Sequence, residues 1–394
     1  MPKYIKTTPE ATKDILSRDC YAKNNLTNKL MSFYQIRGFD EVKTPVLEYY
    51  DVFEGSKANI PQQTMYKLTD NNGRLIVLRP DCTIPMARVA ATRLKSAPKP
   101  LRLCYNQNIY VVNTAHCGKS NEITQVGVEL MGAKTKRADL EIISLALESL
   151  KQIKDTNFRL ELCHIGYFKG IMDCFNASED EKEEIRELVE KKNYSALAKR
   201  LKPYEQTKAY KSLMLLPRLF GGIEVLKKAK ENFINEKTDN ALSYIREIYE
   251  NLEKLGVGDK ISIDLGMVNK ADYYTGIIFK GYFDGVGEEV LSGGRYDNLS
   301  AVYGEDLPAV GFGINIDITS DLYKFETEKQ DNVLIFAQNG FEAKALTYTQ
   351  SFCKENVLAE YSVFDTMEQT LNYAKAKGFE RIMIIGKEID YIES

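Results

Sequence analysis

The sequence predicts an α+β fold: a large antiparallel sheet flanked by helices, interrupted by a helical insertion and followed by a small C-terminal α/β domain. Three observations carry this. Leu101 to Val112 and Glu122 to Met131 alternate well enough to be long antiparallel strands, joined by the polar loop Asn113 to Asn121. From Ser178 to about Leu255 charged residues dominate around a thin apolar stripe, the mark of amphipathic helices on an exposed surface. After a charged linker at Glu326 to Asn332, Val333 to Phe336, a helix from Phe341 to Asn356, Glu360 to Val363, a helix from Met367 to Lys377 and Ile382 to Ile385 read as βαβαβ, hence a small parallel sheet.

The elements follow in order. Leu26, Leu30, Phe33 and Tyr34 recur at helical spacing up to Gly38, which closes the helix in the left-handed region. Glu41 to Leu47 is extended but carries Pro45, which cannot donate to a central ladder, so it is an edge or interface strand. Met65 to Leu68 and Leu75 to Leu78 flank Asn71-Asn72-Gly73, a hairpin signal because Asn and Gly accept positive φ cheaply. Arg79-Pro80-Asp81-Cys82-Thr83 then lies at a strand end, before a helix over Ile84 to Leu94 with Pro85 in its first turn. A helix over Ala138 to Leu150 precedes a strand through Phe158, Leu160 and Leu162, and the chain turns at His164-Ile165-Gly166. Ser178 and Glu181 form a capping box at the start of the insertion. Lys191-Lys192 and Lys199-Arg200-Lys202 are placed to touch RNA, but interspersed glutamates favour a solvated helical face. Strands resume at Lys260 to Leu265, Ile277 to Phe283 and Glu289 to Ser292, and Ala309 to Ile314 is a buried run entering the last helix of this domain, which ends near residue 325.

Composition sets limits. The 394 residues suffice for two or three domains, and 44% hydrophobic with 28% charged residues is the balance of a globular protein. A net charge of -3 argues against a strongly basic nucleic-acid binder. No apolar run approaches the ~20 residues of a membrane span, and the first residues lack a signal-peptide core, so a cytoplasmic protein is expected. Seven scattered cysteines without a C-x-x-C pair predict neither zinc nor disulfides, and no cofactor or metal is expected. His116 and His164 are the only histidines; either could be a general base, but their separation gives no triad, and a turn residue and a core-edge residue are the plainer readings. Catalysis would have to rest on carboxylates, arginines or a borrowed active site.

Four segments, Arg79-Pro80-Asp81-Cys82-Thr83, Gln125-Val126-Gly127-Val128-Glu129, Asp272-Tyr273-Tyr274-Thr275-Gly276 and Gly293-Gly294-Arg295-Tyr296-Asp297, resemble in order the signatures of the histidyl branch of class II aminoacyl-tRNA synthetases. The resemblance covers most of residues 1 to 325 and implies that family's sheet, with helix and proline-bearing strand at a dimer interface. It also implies a histidine pocket, in which Asp81, Thr83 and Gln125 hold the α-ammonium while Glu129, Tyr273 and Tyr274 read the ring. These residue types suit a zwitterion bearing an imidazole, since they supply negative charge, neutral hydrogen bonds and flat walls with polar tips. The alternative is that the tyrosines merely pack and Glu129 is a surface residue; burying Asp, Glu and Gln without partners would be costly.

The same comparison shows losses. Asn269 stands where the family carries an arginine against the activated carboxyl, Val111 and Asn113 replace the arginine and glutamate of the F-R-x-E segment, and Ile318 replaces the arginine ending the third class II motif. Adenylate formation needs cations on a phosphate chain, and losing one such donor costs roughly 2.7–4 kcal/mol of transition-state stabilisation. The C-terminal part, residues 333–394, resembles a truncated anticodon-binding domain, so no tRNA partner is expected. Asp81 in place of Glu, and Glu161-Leu162-Cys163-His164-Ile165-Gly166, resemble features of the regulatory subunits of ATP phosphoribosyltransferase, a non-catalytic branch of the same family. That likeness implies a homodimer working with the short-form catalytic subunit in the first step of histidine biosynthesis, within a hetero-octamer and under feedback by L-histidine. The competing expectations are a divergent histidyl-tRNA synthetase and a stand-alone histidine- or RNA-binding module.

Overall fold

The computed structural model describes residues 4–55, 60–113, 120–268, 274–324, 332–355 and 357–393. His116, Cys117, Asn269, Asp272, Tyr273 and most of the linker expected at Glu326 to Asn332 lie outside the described residues, while Asn332 itself opens a strand. The chain divides into two compact units, Met1–Lys324 and Phe325–Ser394.

The first unit opens with α1 (Ser17–Ile36), whose end is marked by Gly38 at φ +82°. Then come β1 (Asp40–Glu41), β2 (Leu47–Tyr49), α2 (Tyr50–Glu54), β3 (Lys67–Thr69), β4 (Leu75–Leu78), α3 (Thr83–Thr92), β5 (Leu101–Tyr110), β6 (Glu122–Met131), α4 (Lys136–Ile153), β7 (Phe158–His164) and α5 (Ile165–Met172). A helical stretch follows, with α6 (Glu179–Glu190), α7 (Tyr194–Arg200), α8 (Lys208–Leu215), the short β8 (Phe220–Gly221), α9 (Glu224–Asn232) and α10 (Glu236–Lys254). β9 (Ile261–Asp264), β10 (Ile277–Phe283), β11 (Leu291–Tyr296), β12 (Ala309–Asn315) and α11 (Ile316–Thr319) complete it.

Nine strands form one sheet in the order β1-β5-β6-β12-β11-β10-β7-β9-β8, antiparallel except at β1–β5 and β7–β9. Because side chains alternate between faces, register decides what each face carries. One face is apolar: Val126, Val128, Phe312, Phe279, Leu160, Leu162 and Ile263 pack under α1 and α4, with Tyr34 edge-on to Phe312 at 6.1 Å and Leu150 against Gly281. The opposite face carries Tyr105, Gln125, Glu129, Gly311, Gly313, Gly294 and Tyr296, opposed across the central strands. Arg295 projects to the helix-covered face, where Nε donates to Asp139 at 2.7 Å and an outer nitrogen pairs with Asp297 at 3.1 Å.

Several expectations need correction. The segment Glu41 to Leu47 is not one strand; β1 pairs with β5 in the large sheet while β2 joins β4 and β3 in a separate three-stranded sheet, and Pro45 sits at the break where no ladder bond is possible. His164 does not begin a free turn, since β7 runs directly into α5 and His164 Nδ1 accepts the Gly166 N–H as the helix cap. Burial, with Lys169 nearby, depresses His164 to about 4, so it stays neutral in that role. The strand expected at Glu289 to Ser292 is instead β11, which runs on through Gly293 to Tyr296. The hairpin forms as expected, and Asp70 Oδ1 accepts from both Asn72 and Arg74 N–H while Gly73 takes φ +77°.

The second unit contains β13 (Asn332–Ala337), α12 (Glu342–Lys354), β14 (Leu358–Tyr361), α13 (Met367–Lys377), β15 (Arg381–Ile385) and β16 (Ile389–Glu393). The βαβαβ core is parallel, but β16 adds a fourth strand antiparallel to β15, giving the order β14-β13-β15-β16 and a mixed sheet. No helix among the described residues is long and apolar enough to cross a membrane.

Candidate functional site

The open face of the large sheet has a floor that side chains would fill. A Cβ at Gly311 would lie 1.7 Å from Glu129 Oε2, one at Gly313 would lie 2.6 Å from Gln125 Nε2, and one at Gly294 would lie 2.6 Å from the Tyr274 ring. Glycine is therefore required at these positions by close approach rather than by backbone angle. Gly127, flanked by Gln125 and Glu129 on β6, likewise leaves room for the Tyr105 phenol.

The start of α3 closes one side of this floor. Asp81 Oδ1 accepts from the Ile84 N–H at 2.7 Å, so the carboxylate caps the helix and is held at its positive end. Burial nonetheless pushes Asp81 up to about 6, with the Thr83 and Ile84 N–H groups opposing. Glu129 is buried, and Tyr296 OH donates to its Oε2 at 2.5 Å. Burial drives Glu129 up to about 8 against the opposing hydrogen bonds of Tyr296 and Thr83, and the Asp81 charge adds to the rise. Gln125 Oε1 accepts from Tyr105 OH at 3.1 Å. The phenol of Tyr105 is itself raised by burial and by Cys82, Glu129, Asp81 and Tyr274.

Thr83 thus hydrogen-bonds Glu129 and the Asp81 charge acts on it, Gln125 shares the sheet face of Glu129, and Tyr274 stands against Gly294 as a buried wall. Tyr273 lies outside the described residues. Glu129 is no surface residue, and two residues that sequence reasoning missed complete the arrangement. Tyr296 holds Glu129 and Tyr105 holds Gln125; the alternation Gly294-Arg295-Tyr296 along β11 already puts Tyr296 on the glycine face. One buried and one half-buried carboxyl group, beside neutral donors and aromatic walls, are arranged to receive a small cation with several N–H donors.

At the far end of β5 the polar groups answer one another instead. Asn113 Nδ2 donates to Ser120 O at 2.9 Å and its N–H donates to Asn121 Oδ1 at 3.0 Å. Val111 is apolar and its N–H is taken by Asn121 O at 2.9 Å, while Ile318 packs against the main core. Asp317 accepts from Lys23 at 2.5 Å and from the Thr124 N–H at 2.6 Å. Arg79, a buried arginine whose carbonyl accepts the Tyr110 N–H, spends its donors on Thr44, Pro45, Gln107 and Asn108. Nothing at Val111, Asn113 or Ile318 offers a cation to a phosphate chain.

Comparison with known proteins agrees with this geometry. Residues 11–318 match the histidyl-tRNA synthetase family. The chain is 42% identical over 395 residues to the ATP phosphoribosyltransferase regulatory subunit of Clostridium novyi (strain NT), covering 98% of this chain and 93% of that one. It is 36% identical to the protein of the same description in Bacillus cereus (strain AH820), covering 95% and 90%. A solved structure from Bacillus halodurans C, described as an ATP phosphoribosyltransferase regulatory subunit/histidyl-tRNA synthetase, superposes with a TM-score of 0.86 at 29% identity, covering 98% of this chain and all 100% of that one. The histidyl-tRNA synthetase of Nostoc sp. PCC 7120, at 17% identity and a TM-score of 0.77 over 98% and 97% of the two chains, shares the fold. The chain belongs to the family of ATP phosphoribosyltransferase regulatory subunits, non-catalytic relatives built on the class II histidyl-tRNA synthetase fold.

Proposed function

We propose that this chain senses L-histidine in the pocket formed by Asp81, Thr83, Gln125, Glu129, Tyr273 and Tyr274 and conveys feedback inhibition to a short-form catalytic subunit. The observation that carries the reading is the convergence of Asp81, Thr83 and Glu129 over a glycine floor, with both carboxyls raised by burial. The ligand's α-ammonium would satisfy Asp81 and Gln125, and its ring N–H would meet Glu129. Histidine stabilises one arrangement of the complex only by as much as it prefers that arrangement, and the preference appears as lowered activity in the partner.

The same reading divides the chain into a synthetase-like part over 1–325 with a helical insertion at about 178–255, a linker at 326–332 and an anticodon-binding-like part over 333–394. It takes the synthetase-like part as the dimerising one. Val46, Leu47, Tyr49, Leu68 and Leu75, exposed on and beside the three-stranded sheet, support that choice. A hetero-octamer with the catalytic chain, in the cytoplasm, completes the proposal.

The test is to mix the purified chain with a short-form catalytic subunit and assay phosphoribosyl-ATP formation with and without histidine. A rate that depends on this chain and falls with histidine is the expected result. No change on mixing removes the reading, and histidine-dependent exchange of pyrophosphate into ATP by this chain alone would replace it with a synthetase.

A further inference from the structure

Beyond the glycine floor, the same face of the large sheet carries a second set of polar side chains that the amino-acid pocket does not use. Glu161 on β7 is the register partner of Lys280 on β10 and of Ser262 on β9, so the three project from one face. Lys280 in turn opposes Ser292, which opposes Gly313, so this row is continuous with the pocket floor. Two residues along β9, Asp264 joins the same face.

The floor of this second site is polar and desolvated. Glu161 is 8% and Ser262 7% exposed. The Ser262 hydroxyl is buried without a hydrogen-bond partner, a state that native interiors rarely tolerate. Burial raises both Glu161 and Asp264, and Asp264 adds to the rise at Glu161. Three cations, Arg159, Lys192 and Lys280, act on these carboxylates, and Asp264 Oδ1 also accepts the Gly266 N–H at 2.9 Å. Arg159 pairs with Glu161 at 3.3 Å while lying over the Phe220 ring, and Lys280 faces Glu289 at 3.5 Å. Lys192, at the end of α6, acts on both carboxylates from an exposed position. Tyr282 and Tyr194 bring phenol rings to the same carboxylates.

One kind of occupant satisfies all of these groups. A nitrogen cation with several N–H donors can bond two carboxylates and a hydroxyl at once, and its charge is welcome beside aromatic rings. An anion would meet two carboxylates, and a hydrocarbon would leave Ser262 unpaired. We propose that Glu161, Ser262 and Asp264 floor a second ligand site, distinct from the amino-acid pocket, for a small organic cation bearing an ammonium or guanidinium group. The inference does not rest on the histidine reading.

Agmatine, which carries both groups, is the probe. Titrated into the full-length protein by calorimetry and by thermal denaturation, it gives a saturable response that sodium chloride of equal ionic strength does not. Glu161→Gln and Asp264→Asn each weaken agmatine about tenfold or more, and Ser262→Ala weakens it a few-fold, in line with hydrogen bonds to charged and neutral partners. Asp81→Asn leaves agmatine binding unchanged while removing the histidine response, which separates the two sites. No saturable response overturns the proposal, as does a response retained in both carboxylate variants or lost in Asp81→Asn. Should a carboxylate variant fail to fold, Ser262→Ala decides alone, and unaltered agmatine affinity in it overturns the proposal.

Discussion

The two ends of β5 and β6 treat polar side chains in opposite ways. Around Glu129 the carboxyl groups are crowded and desolvated, and burial raises Asp81 to about 6 and Glu129 to about 8. Around Asn113 every named polar group has found a partner within the chain, and Val111 and Ile318, where the sequence resemblance expects synthetase cations, are apolar. Unanswered polarity marks the end that still expects a ligand, and answered polarity marks the end that does not. A regulatory subunit needs the first end and can close the second.

The largest way to break this contrast is Gly311→Ala. Its methyl would overlap Glu129 Oε2 and would also lie 2.4 Å from Val128 O, so either the carboxylate leaves the pocket or the strand shifts. Histidine binding is expected to vanish by calorimetry, with a stability loss of about 1–3 kcal/mol in urea titration. Intact histidine affinity in a folded Gly311→Ala protein would show that the glycine floor is not the ligand site.

Glu129→Gln comes next. The amide keeps the shape and can still face Tyr296, but it no longer offers a charge to the ligand's N–H. Histidine affinity is expected to fall about 10- to 100-fold, the worth of a hydrogen bond to a charged group. The pH dependence should change with it. Glu129 has a folded pKa of about 8, above its ordinary value, so its contribution to stability is full below the unfolded pKa and is lost as pH rises through 8. Binding runs the other way, because a ligand donor favours the ionised form and expels the proton. Histidine affinity should therefore rise between pH 7 and 8, by up to about tenfold per unit, above the range where the ligand's own imidazole titrates. Glu129→Gln should flatten both the affinity profile and the fall of the thermal midpoint.

These outcomes bear on what the residues announce by themselves. Strand alternation over Leu101 to Val112 and Glu122 to Met131 places Gln125 and Glu129 on one face before any coordinates, and the Asp81 to Thr83 segment falls where a helix begins. What alternation hides is contact between strands distant in sequence. Tyr296 reaching Glu129 depends on the register of β11 with β12 and of β12 with β6, which no single segment encodes. Gly311 and Gly313 look like a flexible buried run until their register partners are known. Pro45 signals the loss of a ladder bond, yet only the partners of β1 and β2 reveal that the chain changes sheets there. β16 escapes notice because it is short and its side chains, Tyr391 and Ile392 included, are largely exposed.

Thr83→Val tests the contrast more gently. The hydroxyl is one of two groups that lower Glu129 against burial, so removing it should weaken histidine by about 1 kcal/mol, near fivefold, and raise Glu129 further. Thr83→Ser should restore both. A Val variant with unchanged affinity and an unchanged pH profile would remove Thr83 from the pocket.

The smallest expected effect belongs to Asn113→Ala, at the end of the sheet where polarity is already answered. Its amide joins the chain to Ser120 and Asn121, and those partners would be left to water or to each other. A stability cost of about 1 kcal/mol is expected in urea titration, with histidine affinity and its pH dependence unaltered. That combination would place the Asn113 end in the scaffold and the Glu129 end in the sensor. Were Asn113→Ala instead to weaken histidine as much as Thr83→Val, the two ends would be energetically coupled, and the contrast between them would describe one extended site rather than a surviving half.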